Sequence, residues 1–174
     1  MKNFKKANLG MGFEDLIEYS NDIFFKKKIA AIIKVPTAIK ILRRYDPIKK
    51  RSDIISCFPE KKGSVDFMGQ YGADPVAFEA KSTENKTSFP LKNIADHQLQ
   101  WLQAVDQLGG FAFILFEIKQ AAAIYRMTYK QLEAFMQEND RRSIPFDFFE
   151  KNCFKASFST NGVLEYFKDL KKGE

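Results

Sequence analysis

The alternation of apolar and polar positions divides this chain into short elements. Across residues 11–25, "MGFEDLIEYSNDIFF", Phe13, Leu16, Ile17, Ile23 and Phe24 recur at helical spacing. That predicts an amphipathic helix, with Glu14 about 100° from Phe13 on the flank of the apolar stripe. "IAAIIKV" (29–35) is a β-branched run stopped by Pro36 and reads as a strand. "SVDFMG" and "PVAFEAKS" alternate with a period of two around the turn-rich "QYGAD", the pattern of a hairpin. "NKTSFPLKN" reads as a loop ending at an N-cap, Asn93, with Asp96 in the first turn. The helix that follows is expected to bury Ala95, Trp101, Leu102, Val105 and Leu108 and to stop at Gly109. "FAFILFEI" (111–118) is apolar nearly throughout, as a strand covered on both faces is. "AAAIYRM" pairs with it, and Thr128 caps a helix "YKQLEAFMQEN". The tail from Ile144 is rich in aromatics and has no period that assigns it.

The order is helix, strand, basic excursion, two strands, helix, two strands, helix. It predicts an α/β fold in one domain over residues 1–174, a central sheet flanked by helices. The excursion, residues 37–62, is an insertion protruding between early strands, and Pro47 and Pro59 argue against one long helix there. A chain of 174 residues is long enough to bury a sizeable core.

Charge adds a second feature. The formal net charge is +6, and residues 37–62 hold eight Lys/Arg against three acids. A basic segment of that density attracts a phosphate backbone through counterion release, although a charge run is also what a solvated loop carries. Cys57 and Cys153 have no Cys or His neighbour at metal-ligand spacing, so reduced structural thiols are expected and a zinc site is not. His97 is the only histidine, and no nucleophile motif accompanies it, which argues against Ser/His/Asp or Cys/His catalysis. No apolar run reaches about 18 residues, and the basic N-terminus lacks the apolar core of a signal peptide. A cytoplasmic protein without membrane partners is expected.

Strand alternation brings the chemistry into one place. Val65 and Phe67 share one face, leaving Asp66 on the other; Val76, Phe78 and Ala80 share one face, leaving Glu79 and Lys81 on the other. If the strands are adjacent, Asp66, Glu79 and Lys81 converge. Two carboxylates suit a hard divalent cation that keeps several waters, and the lysine can orient a water or offset charge on a phosphoryl transition state. A solvated face with a cross-strand ion pair fits the same residues. On the helix of residues 94–108, Gln98 falls in the middle of the apolar face, where its amide must find a partner.

The spacing D(x12)EAK, with a glutamate in the preceding helix, resembles the PD-(D/E)XK nuclease superfamily. The blocks "NLGMGFEDLIEYSN", "IIKVPTAIKI", "DFMGQYGADPVAFEAKST", "NKTSFPLKNIADHQLQWL" and "GGFAFILFEI" are similar in order and spacing to RecU-type Holliday junction resolvases, over roughly residues 8–140. The resemblance implies a mixed central sheet of the restriction-endonuclease-like type with a protruding basic stalk. It also implies a homodimer that cuts four-way DNA junctions symmetrically, with Mg²⁺ as cofactor, Mn²⁺ as a substitute, and recombination proteins as further partners. Asp66 and Glu79 then match the metal-binding acids, completed by the carbonyl of Ala80. Lys81 matches the active-site lysine, Glu14 reaches the metal through water, and Gln98 turns toward the site. This chain departs from the family at Leu9, where a basic residue is usual, and at Ala77, where an acid often precedes "FEAK".

For DNA, the expected contacts are Arg43, Arg44, Lys49, Lys50 and Arg51 of the basic segment. Phe58 is a candidate to stack on a base or wedge into the junction, and Thr87 a candidate phosphate donor. Two alternatives remain at this point. One is a duplex-cutting restriction or repair nuclease on the same core; the other is a junction-binding recombination regulator that does not cleave.

Overall fold

The computed structural model describes residues 12–36, 39–59 and 64–170. Six strands form one mixed sheet in the order β1 (Ala30–Lys34), β4 (Phe67–Tyr71), β5 (Asp74–Thr83), β7 (Phe111–Ile118), β8 (Ala123–Thr128), β10 (Phe154–Ala156). Neighbours are antiparallel except β5 and β7, which run parallel. A parallel pair needs a crossover, and α2 (Asp96–Gln107) lies within it. β2 (Ile39–Asp46) and β3 (Arg51–Pro59) form a two-stranded sheet of their own, as do β6 (Ser88–Pro90) and β9 (Ser143–Pro145).

Period-two alternation sorts the side chains of the main sheet into two cores. One face carries Phe67, Phe78, Phe113 and Leu115 under Leu16, Ile17 and Phe24 of α1 (Phe13–Lys26) and under Val163, Leu164, Tyr166 and Phe167 of the tail. Phe67, Phe78 and Phe113 stand in register on three adjacent strands, and their rings stack with centroids 4.9 and 4.8 Å apart, about the inter-strand spacing. The other face carries Ala77, Ile114, Phe116 and Met127. It packs under Leu102 of α2, Leu132 and Phe135 of α3 (Tyr129–Glu138) and Phe149 of α4 (Phe146–Asn152). The approach of β1 to β4 requires a glycine at Gly69, where a Cβ would lie 1.9 Å from the carbonyl oxygen of Ala31.

Helix α2 departs from its expected form. Leu91–Asn93 wind into a short 3-10 turn, so the N-cap is Ala95 and not Asn93. Trp101 and Leu108, expected in the core, are 43% and 84% exposed. The helix meets the sheet along a narrow strip centred on Leu102; Trp101, one step round the helix, lies outside it, and Leu108 is the C-cap beyond the last turn.

The basic segment is a β-hairpin that lies off both cores. From Ile41 to Ser56 every side chain is exposed except those of Asp46 and Asp53, which are half-buried. Asp46 Oδ1 accepts the N–H groups of Ile48 (2.9 Å) and Lys49 (3.2 Å), which shapes the turn. Pro47 falls in that turn and Pro59 at the strand end, where neither interrupts the ladder.

Candidate active site

Phe67 and Phe78 are register partners, so Asp66, the residue just before β4, comes to lie beside Glu79 of β5, on the α2 side of the sheet. Each acid is fixed by the other's strand. The main-chain N–H of Asp66 donates to Glu79 Oε2 at 3.0 Å, and the N–H of Ala80 donates to Asp66 Oδ2 at 3.0 Å. Lys81, two residues along β5 and therefore on the same face, places Nζ 2.9 Å from Glu79 Oε1. Gln98 reaches the same oxygen with its Nε2 amide. Its carbonyl Oε1 accepts the Ala95 N–H at 3.0 Å, closing the first turn of α2, and that bond settles which end of the amide faces Glu79. The structure thus brings together Asp66, Glu79, Ala80, Lys81 and Gln98.

Glu79 is 1% exposed, and its carboxyl is pushed up to about 7. Burial is the main cause; the hydrogen bond from Lys81 acts in the opposite sense, and Asp66 raises it further. Among the described residues no cluster of three or more His, Cys, Asp or Glu side chains could hold a metal ion. A cation that needs a full protein cage, as structural Zn²⁺ does, does not fit this pair. A hard ion that binds one or two carboxylates and keeps its waters does fit. Besides accepting the Ala80 N–H, the Asp66 carboxyl interacts with the Glu79 carboxyl itself, so the two acids face one another.

Glu14 is placed differently. It lies in the first turn of α1, on the opposite side of the sheet, and its Oε2 is 3.0 Å from Lys34 Nζ, which also contacts Glu18 Oε1 at 2.7 Å. Hydrogen bonds from Lys34 to Glu18 and then Glu14 hold the lysine pKa above the usual range. Glu14 makes no described bond to Asp66 or Glu79. It does share a cleft of about 360 Å³ with Lys34, Ala80, Ser82, Glu117 and Lys119. Sequence reasoning missed Lys34, Ser82 and Glu117. The lone cation closing the apolar run "IAAIIK" was the available signal for Lys34; Glu117, which accepts Ser82 Oγ at 2.5 Å, carried none.

The basic candidates divide into two groups. Lys49 bonds Asp46 and Asp53 at 3.3 Å each, and Arg51 Nε lies 2.9 Å from Asp53. Arg43, Arg44 and Lys50 have no acidic partner among the described residues. Thr87 is exposed in the connection after β5, its carbonyl accepting the Phe146 N–H at 3.0 Å. Leu9 and the side chain of Phe58 lie outside the described residues.

The fold and site together define a mixed-sheet α/β protein with a paired-acid and lysine centre on adjacent strands. Residues 8–172 match the sequence profile of the family described as Recombination protein U, and the chain belongs to that family. Two relatives, the proteins named Holliday junction resolvase RecU from Staphylococcus aureus strains JH9 and MRSA252, are each 32% identical over 173 residues, covering 98% of this chain and 83% of the relative. Among solved structures, Hjc of Archaeoglobus fulgidus, described as a Holliday junction resolvase, is similar with a TM-score of 0.42 and 15% identity, covering 77% of this chain and 91% of that one.

Proposed function

We propose that this chain resolves four-way DNA junctions by hydrolysing phosphodiester bonds, as a Mg²⁺-dependent homodimer in the cytoplasm. The observation that carries the proposal is the mutual fixing of Asp66 and Glu79, a preorganised pair of carboxylates beside a lysine in a chain of the Recombination protein U family. Asp66, Glu79 and the Ala80 carbonyl would hold the ion, and the ion would polarise the phosphate and acidify a water. Mn²⁺ offers the same oxygen-seeking chemistry and would substitute.

The chain's own groups do the positioning. Gln98 and the Asp66 N–H hold both oxygens of Glu79, which prevents the buried carboxylate from rotating. Lys81 has a side chain 18% exposed, between the buried acid and solvent, where its ammonium can orient a water and offset charge gathering on the phosphate. Glu14, held by Lys34 across the sheet, would act at longer range through water. Two incisions of matching polarity need two acid pairs, and the described residues of one chain carry one beside a lysine, which supports a dimer. Arg43, Arg44 and Lys50, without an acidic partner among the described residues of an exposed hairpin, would meet phosphates.

The test is cleavage of a synthetic four-way junction and of a linear duplex of matching sequence, with and without Mg²⁺, with Asp66→Asn as control. Junction cutting that needs both the ion and Asp66 is expected. Equal cutting of the duplex would make the protein a general nuclease, and tight junction binding without cutting would make it a regulator.

A further inference from the structure

At the end of β1 away from Asp66, the chain carries a surface that includes none of the residues of the candidate active site. β1 is an edge strand. The Gly72 N–H donates to the Ile29 carbonyl and the Val35 N–H to the Asp66 carbonyl. In an antiparallel ladder that phase bonds Ala31 and Ile33 to β4 and turns the N–H and C=O of Ala30, Ile32 and Lys34 outward. Among the described residues no backbone group pairs with that outer edge.

A groove of about 580 Å³ runs beside the edge, lined by Phe25, Lys26, Lys28, Ile29, Ala31 and Gln70. Phe25 is 68% exposed, Ile29 40%, and Ile33, further along the strand, 63%. Lys26, Lys27 and Lys28 turn the corner from α1 into β1; all three are exposed, and none has an acidic partner among the described residues. Solvation accounts for three lysines. It does not account for an aromatic and two isoleucines left in water around a strand whose outer edge has no partner among the described residues. Ala30 faces Tyr71 and Lys34 faces Phe67, so the groove opens about 15 Å along the strands from the acid pair.

We infer that this groove receives an extended segment of a partner protein, which adds to β1 as a seventh strand. Its carboxylates meet Lys26 and Lys28, and its apolar side chains pack beside Phe25 and Ile29. Duplex DNA would meet the cations, but it brings neither apolar side chains nor a row of backbone partners for the strand. A second copy docking by the same edge would bring the same lysines, and like charges oppose it.

The inference does not rest on the nuclease proposal, and its test is separate. The isotope-labelled full chain is titrated with two synthetic ten-residue peptides, one alternating Glu and Val, the other Lys and Val, and its amide signals are followed by NMR. The acidic peptide is expected to shift Ala30–Lys34 and Gly72 saturably, and the basic peptide to leave them in place. Lys26→Glu with Lys28→Glu should weaken the acidic peptide at least tenfold while leaving junction cleavage unchanged. Ala30→Pro removes an outward N–H and no ladder bond, and should weaken it similarly with the rest of the spectrum intact. Shifts located elsewhere, no shifts, or equal binding by the charge-reversed variant would overturn the inference. So would a short duplex that moves these amides more than the peptide does, or amides that move with protein concentration alone.

Discussion

Gln98 joins the start of helix α2 to the buried acid Glu79: its carbonyl accepts the Ala95 N–H, and its amide nitrogen donates to Glu79 Oε1. One side chain therefore serves as helix cap and as clamp on the candidate metal ligand. Gln98→Ala should lose about 1 kcal/mol of stability with the hydrogen bond it makes back to the Ala95 N–H and lower turnover by about 10–100-fold. Melting temperature and single-turnover cleavage measured together check both. Turnover unchanged despite the lost stability would reduce Gln98 to a cap.

Asp66→Asn and Glu79→Gln are near-isosteric, and above about pH 7, where Glu79 is ionised, each removes one negative charge. Both should abolish cleavage and leave junction binding intact or tighter, since the phosphate-facing surface becomes less repulsive. Gel-shift and cleavage assays on one preparation give the comparison. More than a few per cent of wild-type turnover in either variant would remove these acids from the chemistry.

Lys81→Ala should lower turnover by about 10²–10³ with little change in the Mg²⁺ concentration for half activity, because Lys81 is assigned to the water and the phosphate. A large rise in that concentration with full activity at saturation would reassign it to ion binding.

The raised pKa of Glu79 makes stability depend on pH. Between its ordinary value of 4.5 and the folded value of about 7, the folded carboxyl holds a proton that the unfolded chain releases. Unfolding free energy should therefore fall as pH rises through this window, by about 1.4 kcal/mol per unit and about 3 kcal/mol in all. Thermal melts without divalent cation should show lower stability at pH 8 than at pH 5, and Glu79→Gln should flatten that slope. Mg²⁺ should protect more at pH 8, where the carboxylate is already bare.

On the hairpin, the ion pairs of Lys49 and Arg51 with Asp46 and Asp53 leave Arg43, Arg44 and Lys50 as the free cations among the described residues. Replacing these three by Ala should reduce the slope of log affinity against log salt by up to about 3 and weaken the preference for junctions over duplex. Folding should survive, since exposed charges contribute little. An unchanged preference would place junction selection on the core.

The candidate site was legible because its geometry follows from two simple periods. Asp66, Glu79 and Lys81 share a face by strand alternation, and Gln98 faces them by helical rotation around Leu102. Trp101 misled because an apolar side chain one step from Leu102 looks buried on any wheel, whereas the sheet covers a strip narrower than that step. The hairpin was hidden for a different reason: from Ile41 to Ser56 both faces are exposed apart from Asp46 and Asp53, so "ILRRYD" has no buried apolar side to impose alternation. The tail could not be read because Tyr166 and Phe167 sit in turns, placed by the rings of Phe24 and Phe113 and by no period of their own.

The hairpin leaves the sheet between two strands that are already partners. β1 and β4 lie side by side, and Val35 and Asp66, at the points of exit and return, are joined by a backbone hydrogen bond of 2.8 Å. Topologically the whole excursion is one overgrown turn. Its length and charge can change without reordering any strand of the sheet, so in a lineage of such chains the proposed grip on DNA is free to vary apart from the Asp66–Glu79 pair.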